Sequence, residues 1–278
     1  MPSPYPHAYT HNHKVLDDGS VAFECSNNIS IWPWLNLSPL HPIVVQTINF
    51  WASVESGIAL GTFDPEKWSA LTHVDWTCDD PDVGHAVRGT YRTDRDGDEM
   101  QYVLAFFDAE DRQSVELRGK GVVFRTRNFE GWRDAAKKRA KPDHDVSTFP
   151  FADADQVGVE DPAQCFLSEA LNGPPVRCMG KITSERGLMP GHPYIAGSGD
   201  HVNSTHMGEI GRQFCQLLTG RPLINTGGHM VFEHYVELGR HFLIDQVKRP
   251  SSEPSIHAVV RQNGRICTRM RMDFRFAD

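Results

Sequence analysis

A short polar segment before and inside a predicted helix holds the residue types that most often carry acid–base chemistry. In chain order its members are Asp200, His201, Asn203, His206 and Glu209. Histidines and carboxylates transfer protons near neutral pH when their surroundings separate their pKa values, and backbone N–H groups at a helix start can stabilise developing negative charge. We therefore predict Asp200, His206 and Glu209 as catalytic residues. His201 and Asn203 are predicted to contact the substrate.

The same segment has a purely structural alternative. Asp200, Ser204 and Thr205 are residue types that cap helix starts, because their side-chain oxygens accept hydrogen bonds from unpaired backbone N–H groups. In that case the two histidines lie in a solvated loop. Capping and catalysis are compatible, so the sequence leaves both open.

A second group of candidates lies in the first half of the chain. His41 precedes an apolar helix predicted from Ile43 to Leu60, and Glu55 lies within that helix. A carboxylate in so apolar a helix is costly to leave ionised and unpaired, so its pKa should rise or it should find a partner. We predict His41 and Glu55 as further catalytic residues. The alternatives are a structural histidine and a glutamate paired with an arginine.

Two pairs of arginines alternate along predicted strands. They are Arg125 with Arg127 and Arg269 with Arg271. Residues two apart in a strand project from the same face, and paired guanidinium groups suit phosphate oxygens. We predict that these arginines bind the phosphates of a substrate, with solvated surface charges as the alternative.

Composition excludes several classes of protein. The net charge of -8 argues against nucleic acid binding, which needs an excess of basic residues. No apolar run is long enough to span a membrane, the six cysteines form no CxxC pair, and the first residues lack a signal-peptide core. We therefore expect a cytoplasmic protein without membrane or nucleic acid partners. The sequence has no P-loop, dinucleotide fingerprint or GxSxG motif, and we expect no cofactor and no metal ion.

The order of predicted elements is the same in both halves of the chain. Each half has a long helix followed by three or four strands, with turn clusters between them. A segment rich in proline and acidic residues separates the halves. We predict a first unit at 1–140, a linker at 141–165 and a second unit at 166–278, in an α+β chain.

This layout resembles the double hotdog proteins, in which each unit has a long central helix wrapped by an antiparallel sheet. The segment from Ser198 to His206 is similar to the motif of MaoC-type hydratases, with Asp200 and His206 as the matching pair. His201-Val202-Asn203-Ser204 also resembles the HVNN element of 4-hydroxybenzoyl-CoA thioesterases. The spacing of His41 and Glu55 resembles that of FabZ-type dehydratases.

The resemblance implies an enzyme that acts on acyl thioesters of coenzyme A or acyl carrier protein. Its leading implication is a dehydratase or hydratase of 3-hydroxyacyl or enoyl thioesters, in metabolism of the fatty-acid or polyketide type. Two alternatives stay open: a thioesterase that uses the same pocket, and a non-catalytic protein that binds acyl groups or small ligands. Because a double unit already contains the helix pairing of a dimer, we expect a monomer or a homodimer.

Overall fold

The chain folds into two compact units, Met1–Arg125 and Thr126–Asp278. The computed structural model describes residues 7–64, 66–97, 99–124, 129–140, 148–171, 173, 175–189, 191–195, 200–248 and 254–277. Each unit combines a long helix with antiparallel strands, so the predicted α+β class is confirmed. Within the described residues, no helix is both long and apolar enough to cross a membrane.

In its described residues, the first unit has six antiparallel strands and one long helix. Its strands are β1 (Thr10–Val15), β2 (Val21–Cys25), β3 (Ser69–Thr77), β4 (Arg88–Asp96), β5 (Glu99–Phe107) and β6 (Gln113–Val123). They pair in the order β1-β2-β4-β5-β6-β3. Helix α1 (Pro42–Ala59) contacts β1, β2, β4 and β5, so it is the central element of this unit.

The sequence of helix α1 explains where the helix begins and why it is buried. His41 is the N-cap, and Pro42 takes the first helical position, where its missing N–H costs nothing. Apolar side chains such as Val44, Ile48 and Trp51 are buried along the helix. The predicted helix from Ile43 to Leu60 is therefore confirmed.

The part of the second unit that the structure describes has three α-helices and five strands. The helices are α2 (Phe129–Ala140), α3 (Ala154–Val157) and α4 (Ser204–Thr219). The strands are β7 (Arg177–Gly180), β8 (Leu223–Phe232), β9 (Phe242–Lys248), β10 (Ser255–Gln262) and β11 (Arg265–Phe276), paired in the order β8-β11-β10-β9-β7. Helix α4 contacts β8, β10 and β11 and is the central helix of this unit.

Glycines set the packing and the end of α4. A Cβ atom on Gly211 would lie 2.2 Å from the Sδ atom of Met272 on β11, so a larger residue here would force the Met272 side chain to move. Gly220 ends the helix with φ of 65°, a left-handed conformation that favours glycine.

The two compact units divide after β6, and the predicted bounds of the units and linker stay a prediction. The division falls between Arg125 and Thr126, whereas the sequence placed α2 in the first unit, before a linker at 141–165. Arg133 of α2 is buried, and its ion pairs go to Asp200 and Glu237 of the second unit. In the described part of the predicted linker, Val157 and Cys165 are fully buried. Proline and acidic residues in this segment predict irregular structure, and such structure can still pack into a compact unit, as the described part of this segment does.

Candidate active site

The start of α4 is built by a reciprocal hydrogen-bond pair. The Oδ1 of Asn203, the N-cap residue, accepts from the backbone N–H of His206 at 3.2 Å. In return, the Nδ1 of His206 accepts from the backbone N–H of Asn203 at 3.1 Å. Two N–H groups that the helix cannot satisfy are therefore satisfied by the two side chains. This gives Asn203 a capping role where the sequence predicted substrate contact.

His206 is a buried structural residue in this arrangement. Its side chain is fully buried, and its Nε2–H donates to the carbonyl oxygen of Leu188 at 2.8 Å. Burial lowers the pKa of His206 to about 4, which keeps the imidazole neutral at neutral pH. Both ring nitrogens are engaged within the fold, so the geometry does not favour the predicted proton transfer by His206.

The histidine that pairs with Asp200 is the next residue in the chain, His201. Its Nδ1 lies 2.5 Å from the Oδ1 of Asp200. Because an ionised carboxylate can only accept, Nδ1 carries the hydrogen of this bond. The His201 side chain is 19% exposed, and its ring packs edge-on against Tyr235 at 4.5 Å between centroids. The arrangement is that of a general base held by a carboxylate.

Two basic residues that the sequence analysis did not assign to the site hold Asp200 in place. Arg133 donates from Nε to the Oδ2 of Asp200 at 3.0 Å and forms two hydrogen bonds to the Glu237 carboxylate, at 2.8 and 3.1 Å. The Nζ of Lys137 lies 3.2 Å from the same Asp200 oxygen. Burial alone would lower the pKa of Arg133, but the bonds to Glu237 and Asp200 outweigh it and raise that pKa. Two cations therefore stabilise a negative charge on Asp200.

Aromatic packing completes the cluster. The guanidinium of Arg133 lies 4.2 Å from the centre of the Tyr235 ring, so this ring contacts both Arg133 and His201. Trp132, half exposed on α2, lies 6.2 Å from the same ring. Neither the charged sequence of α2 nor Tyr235 by itself predicts that the two come into contact.

Glu209 belongs to a separate buried network. Arg212 donates to both oxygens of the Glu209 carboxylate, at 2.8 and 2.6 Å, and Gln213 donates to one of them at 2.8 Å. Gln213 also bonds the backbone N–H of Phe166 and the carbonyl oxygen of Gln164. This network joins α4 to the chain at 164–166. The described bonds of this carboxylate hold α4 in place, and its catalytic role stays a prediction.

The candidates of the first unit lie at opposite ends of α1. The Nδ1 of His41 accepts from the backbone N–H of Ile43 at 3.2 Å, and Glu55 is buried near the other end of the helix. The two residues are 55 − 41 = 14 positions apart. At about 1.5 Å of rise per residue, this places them roughly 20 Å apart along the axis. They do not form one site within this unit.

The second arginine pair lies on β11 as predicted, but each member has an acidic partner. The Nε of Arg269 lies 2.6 Å from Glu233, and the Nη2 of Arg271 lies 2.8 Å from Asp273. The arginine side chains are 51% and 54% exposed. These ion pairs partly neutralise the two arginines, so less positive charge remains to attract the phosphate of a substrate. Arg125 and Arg127, and the motif residues Ser198 and Gly199, lie outside the described residues.

Solved structures with similar chains come from two kinds of enzyme. The dehydratase domain of a mycocerosic acid synthase-like polyketide synthase is 14% identical, with a TM-score of 0.57 over 100% of this chain and 98% of that one. The dehydratase domain of RzxB from Pseudomonas fluorescens is 12% identical, with a TM-score of 0.56 over 97% and 98%. An acyl-ACP thioesterase from Bacteroides thetaiotaomicron is 13% identical, with a TM-score of 0.52 over 92% and 97%.

The sequence matches no protein-family model and no curated protein sequence. The similarity to these structures therefore concerns the fold. It extends over nearly the whole chain and confirms that the protein has the double hotdog fold.

Proposed function

We propose that this protein is a dehydratase or hydratase of acyl thioesters, with His201 as its proton-transfer group and Asp200 as the residue that orients it. The substrates would be 3-hydroxyacyl or enoyl groups carried by coenzyme A or acyl carrier protein. The observation that carries the proposal is the 2.5 Å contact between the Oδ1 of Asp200 and the Nδ1 of His201. It orients the imidazole through Nδ1, and a carboxylate in this position stabilises an imidazole that takes up a proton.

In the dehydration step, His201 Nε2 removes a proton from the carbon next to the thioester carbonyl. The electron pair of that C–H bond forms the new double bond, and the bond from C3 to the hydroxyl oxygen breaks. The departing oxygen takes the proton back from His201 and leaves as water, so the histidine ends the cycle neutral. Asp200 stabilises the intermediate imidazolium, as the aspartate of a catalytic triad does.

The start of α4 is our candidate for stabilising the thioester oxygen. Ser204 and Thr205 occupy the first two helical positions, whose N–H groups have no carbonyl partner within a helix. Donors of this kind stabilise negative charge that develops on a carbonyl oxygen. Asn203 and His206 hold this first turn in place through their reciprocal bonds.

The solved structures support an enzyme that acts on acyl thioesters, and dehydratases are among them. Two of them are dehydratase domains that align with 97% and 100% of this chain. Thioester hydrolysis is the second candidate, because a single histidine–carboxylate pair can equally activate a water molecule against the thioester carbonyl. A solved acyl-ACP thioesterase with a TM-score of 0.52 supports that alternative.

Mass spectrometry of the protein with 3-hydroxyacyl, enoyl and saturated acyl thioesters tests the proposal. We expect the first two classes to interconvert by loss or gain of one water while the thioester stays intact. We expect His201→Gln to lower turnover by about 10²–10⁴-fold. The matched control is His234→Gln, a change at an exposed histidine of the same unit that leaves turnover unchanged. Release of thiol and acid would favour hydrolysis, and unchanged turnover in His201→Gln would refute the site.

A further inference from the structure

Tyr235 is the aromatic residue beside the proposed proton-transfer group. Its ring packs edge-on against the imidazole of His201, with 4.5 Å between the ring centres and 71° between the ring planes. The guanidinium of Arg133 lies 4.2 Å from the centre of the same tyrosine ring. All three residues belong to the second unit, so these contacts lie within one compact body. Two members of the site therefore hold the ring of Tyr235 in place.

The backbone also holds this tyrosine next to the imidazole. The residues that follow the two rings in the chain, Val202 and Val236, form an antiparallel bridge, in which the N–H of Val202 donates to the carbonyl oxygen of Val236 at 2.9 Å. Beyond the bridge, the side chain of Gln262 accepts from the N–H of Glu237 at 2.8 Å and donates to the carbonyl oxygen of Glu237 at 3.0 Å. Backbone hydrogen bonds therefore bring the two rings together.

The hydroxyl of Tyr235 can donate a hydrogen bond. The side chain is half-buried, and its contacts with the described residues are made through the ring. Burial raises the pKa of Tyr235; the Arg133 guanidinium opposes this effect, and the carboxylates of Asp200 and Glu237 add to it. The phenol therefore keeps its proton at neutral pH. A tyrosine in such a position offers an apolar ring to the protein and a polar group to a ligand.

Dehydration of a 3-hydroxyacyl thioester needs two groups at neighbouring carbons of the substrate. A base removes the proton from C2, and the oxygen that leaves C3 develops negative charge as its bond to carbon breaks. Hydroxide is a poor leaving group, so a hydrogen-bond donor at this oxygen lowers the barrier. Because C2 and C3 are bonded to one another, the base and the donor must lie side by side. His201 and Tyr235 are neighbours of this kind.

We infer that the hydroxyl of Tyr235 donates a hydrogen bond to the oxygen that departs from C3, and that it thereby makes the site selective for 3-hydroxyacyl thioesters. The inference rests on the proposed function, because it takes His201 to be the base. Tyr235 keeps its own proton throughout. The electron pair of the broken C–O bond stays on the oxygen, and the proton that completes the water molecule comes from His201. In the reverse reaction, the same hydroxyl holds the water that adds to C3 of an enoyl thioester.

The test compares two leaving groups in Tyr235→Phe, a variant that keeps the ring and removes only the hydroxyl. One substrate is a 3-hydroxyacyl thioester of coenzyme A, and the other is the matching 3-chloroacyl thioester, whose chloride leaves without a proton. Rates are measured above those without protein. We expect Tyr235→Phe to lower turnover of the hydroxy substrate by about 10–100-fold and that of the chloro substrate by less than about threefold. His201→Gln should lower both strongly, because both reactions begin with removal of the C2 proton.

The matched control is Tyr194→Phe, the same change at a second partly exposed tyrosine of this unit, whose ring lies edge-on to that of His192 at 5.0 Å. It should leave both reactions unchanged. Normal turnover of the hydroxy substrate in Tyr235→Phe, with loss of turnover in His201→Gln, would overturn the inference alone. Equal losses for the two substrates in Tyr235→Phe would mean that the tyrosine acts through His201, and would also overturn it. If the wild-type protein eliminates neither water nor chloride, the proposed function fails with the inference.

Discussion

The Nε of Arg133 lies 3.0 Å from the Oδ2 of Asp200, a residue 67 positions further along the chain. The same guanidinium also donates to both carboxylate oxygens of Glu237, in the loop between β8 and β9. One buried arginine thus joins α2 to two loops of the second unit. Because His201 is hydrogen-bonded to the other oxygen of Asp200, Arg133 also fixes the proposed proton-transfer group.

Replacing Arg133 by methionine should destabilise the second unit strongly. The change leaves two largely buried carboxylates, Asp200 and Glu237, without their shared cation, and broken buried pairs typically cost about 3–5 kcal/mol. Urea unfolding measures the free energy directly. The control is Arg269→Met, which breaks an exposed pair and should cost less than about 1 kcal/mol. Equal losses in the two variants would contradict a structural role for Arg133.

Replacing Asp200 by asparagine should lower turnover by about 10²–10⁴-fold, since the imidazolium of His201 loses its stabilising charge. The matched control is Glu237→Gln, which weakens the other half of the Arg133 cluster but leaves the bond between Asp200 and His201. We expect this control to lose stability and to keep turnover within a few-fold. Steady-state kinetics on the interconverting thioesters distinguishes the two variants. Equal loss of turnover in both would assign the effect to folding.

His206 should make the protein less stable in acid. Its pKa is about 4 in the folded protein, because of burial, whereas an exposed histidine of the unfolded chain has a pKa of about 6.5. The unfolded state therefore takes up the proton first, and stability is lost as the pH falls from about 6.5 towards 4. The contribution is up to about 3 kcal/mol. Urea unfolding at several pH values measures it.

The variant His206→Gln tests the assignment of this acid sensitivity. It should be less stable than the wild-type protein at pH 7, because the reciprocal cap with Asn203 is weakened. Its stability should also fall less steeply between about pH 6.5 and 4, since glutamine does not titrate. An unchanged slope would mean that other groups cause the acid sensitivity.

Glu209→Gln separates a structural carboxylate from a catalytic one. The change removes the charge that compensates the buried guanidinium of Arg212, so we expect a loss of about 2–4 kcal/mol in unfolding free energy. Turnover per folded molecule should stay within a few-fold of the wild-type value. A large loss of turnover with normal stability would support the catalytic role predicted from the sequence.

Periodicity and capping signals predicted the framework of both units. The apolar spacing from Ile43 to Leu60 predicted α1, and a second helix was predicted after the polar segment at Asp200. These signals are local, because a helix face and a cap involve residues within a few positions of one another. The fold could therefore be predicted from the sequence alone.

The candidate site could be predicted only in part. The crowded segment around Asp200 was recognised by residue type, but its partners Arg133 and Glu237 are remote in sequence and had no local signal. Which histidine pairs with the aspartate depends on the path of the chain. His206 turns inward as a member of the cap, and His201 remains beside the carboxylate. Composition and spacing do not encode that difference.

The reciprocal bonds between Asn203 and His206 have a consequence for the energetics of substrate binding. They hold the backbone two residues after His201 in one conformation before any substrate arrives. The conformational entropy of ordering this loop is lost during folding, not in each catalytic cycle. Substrate binding therefore does not have to order this loop, and His201 is already held in position when a thioester binds.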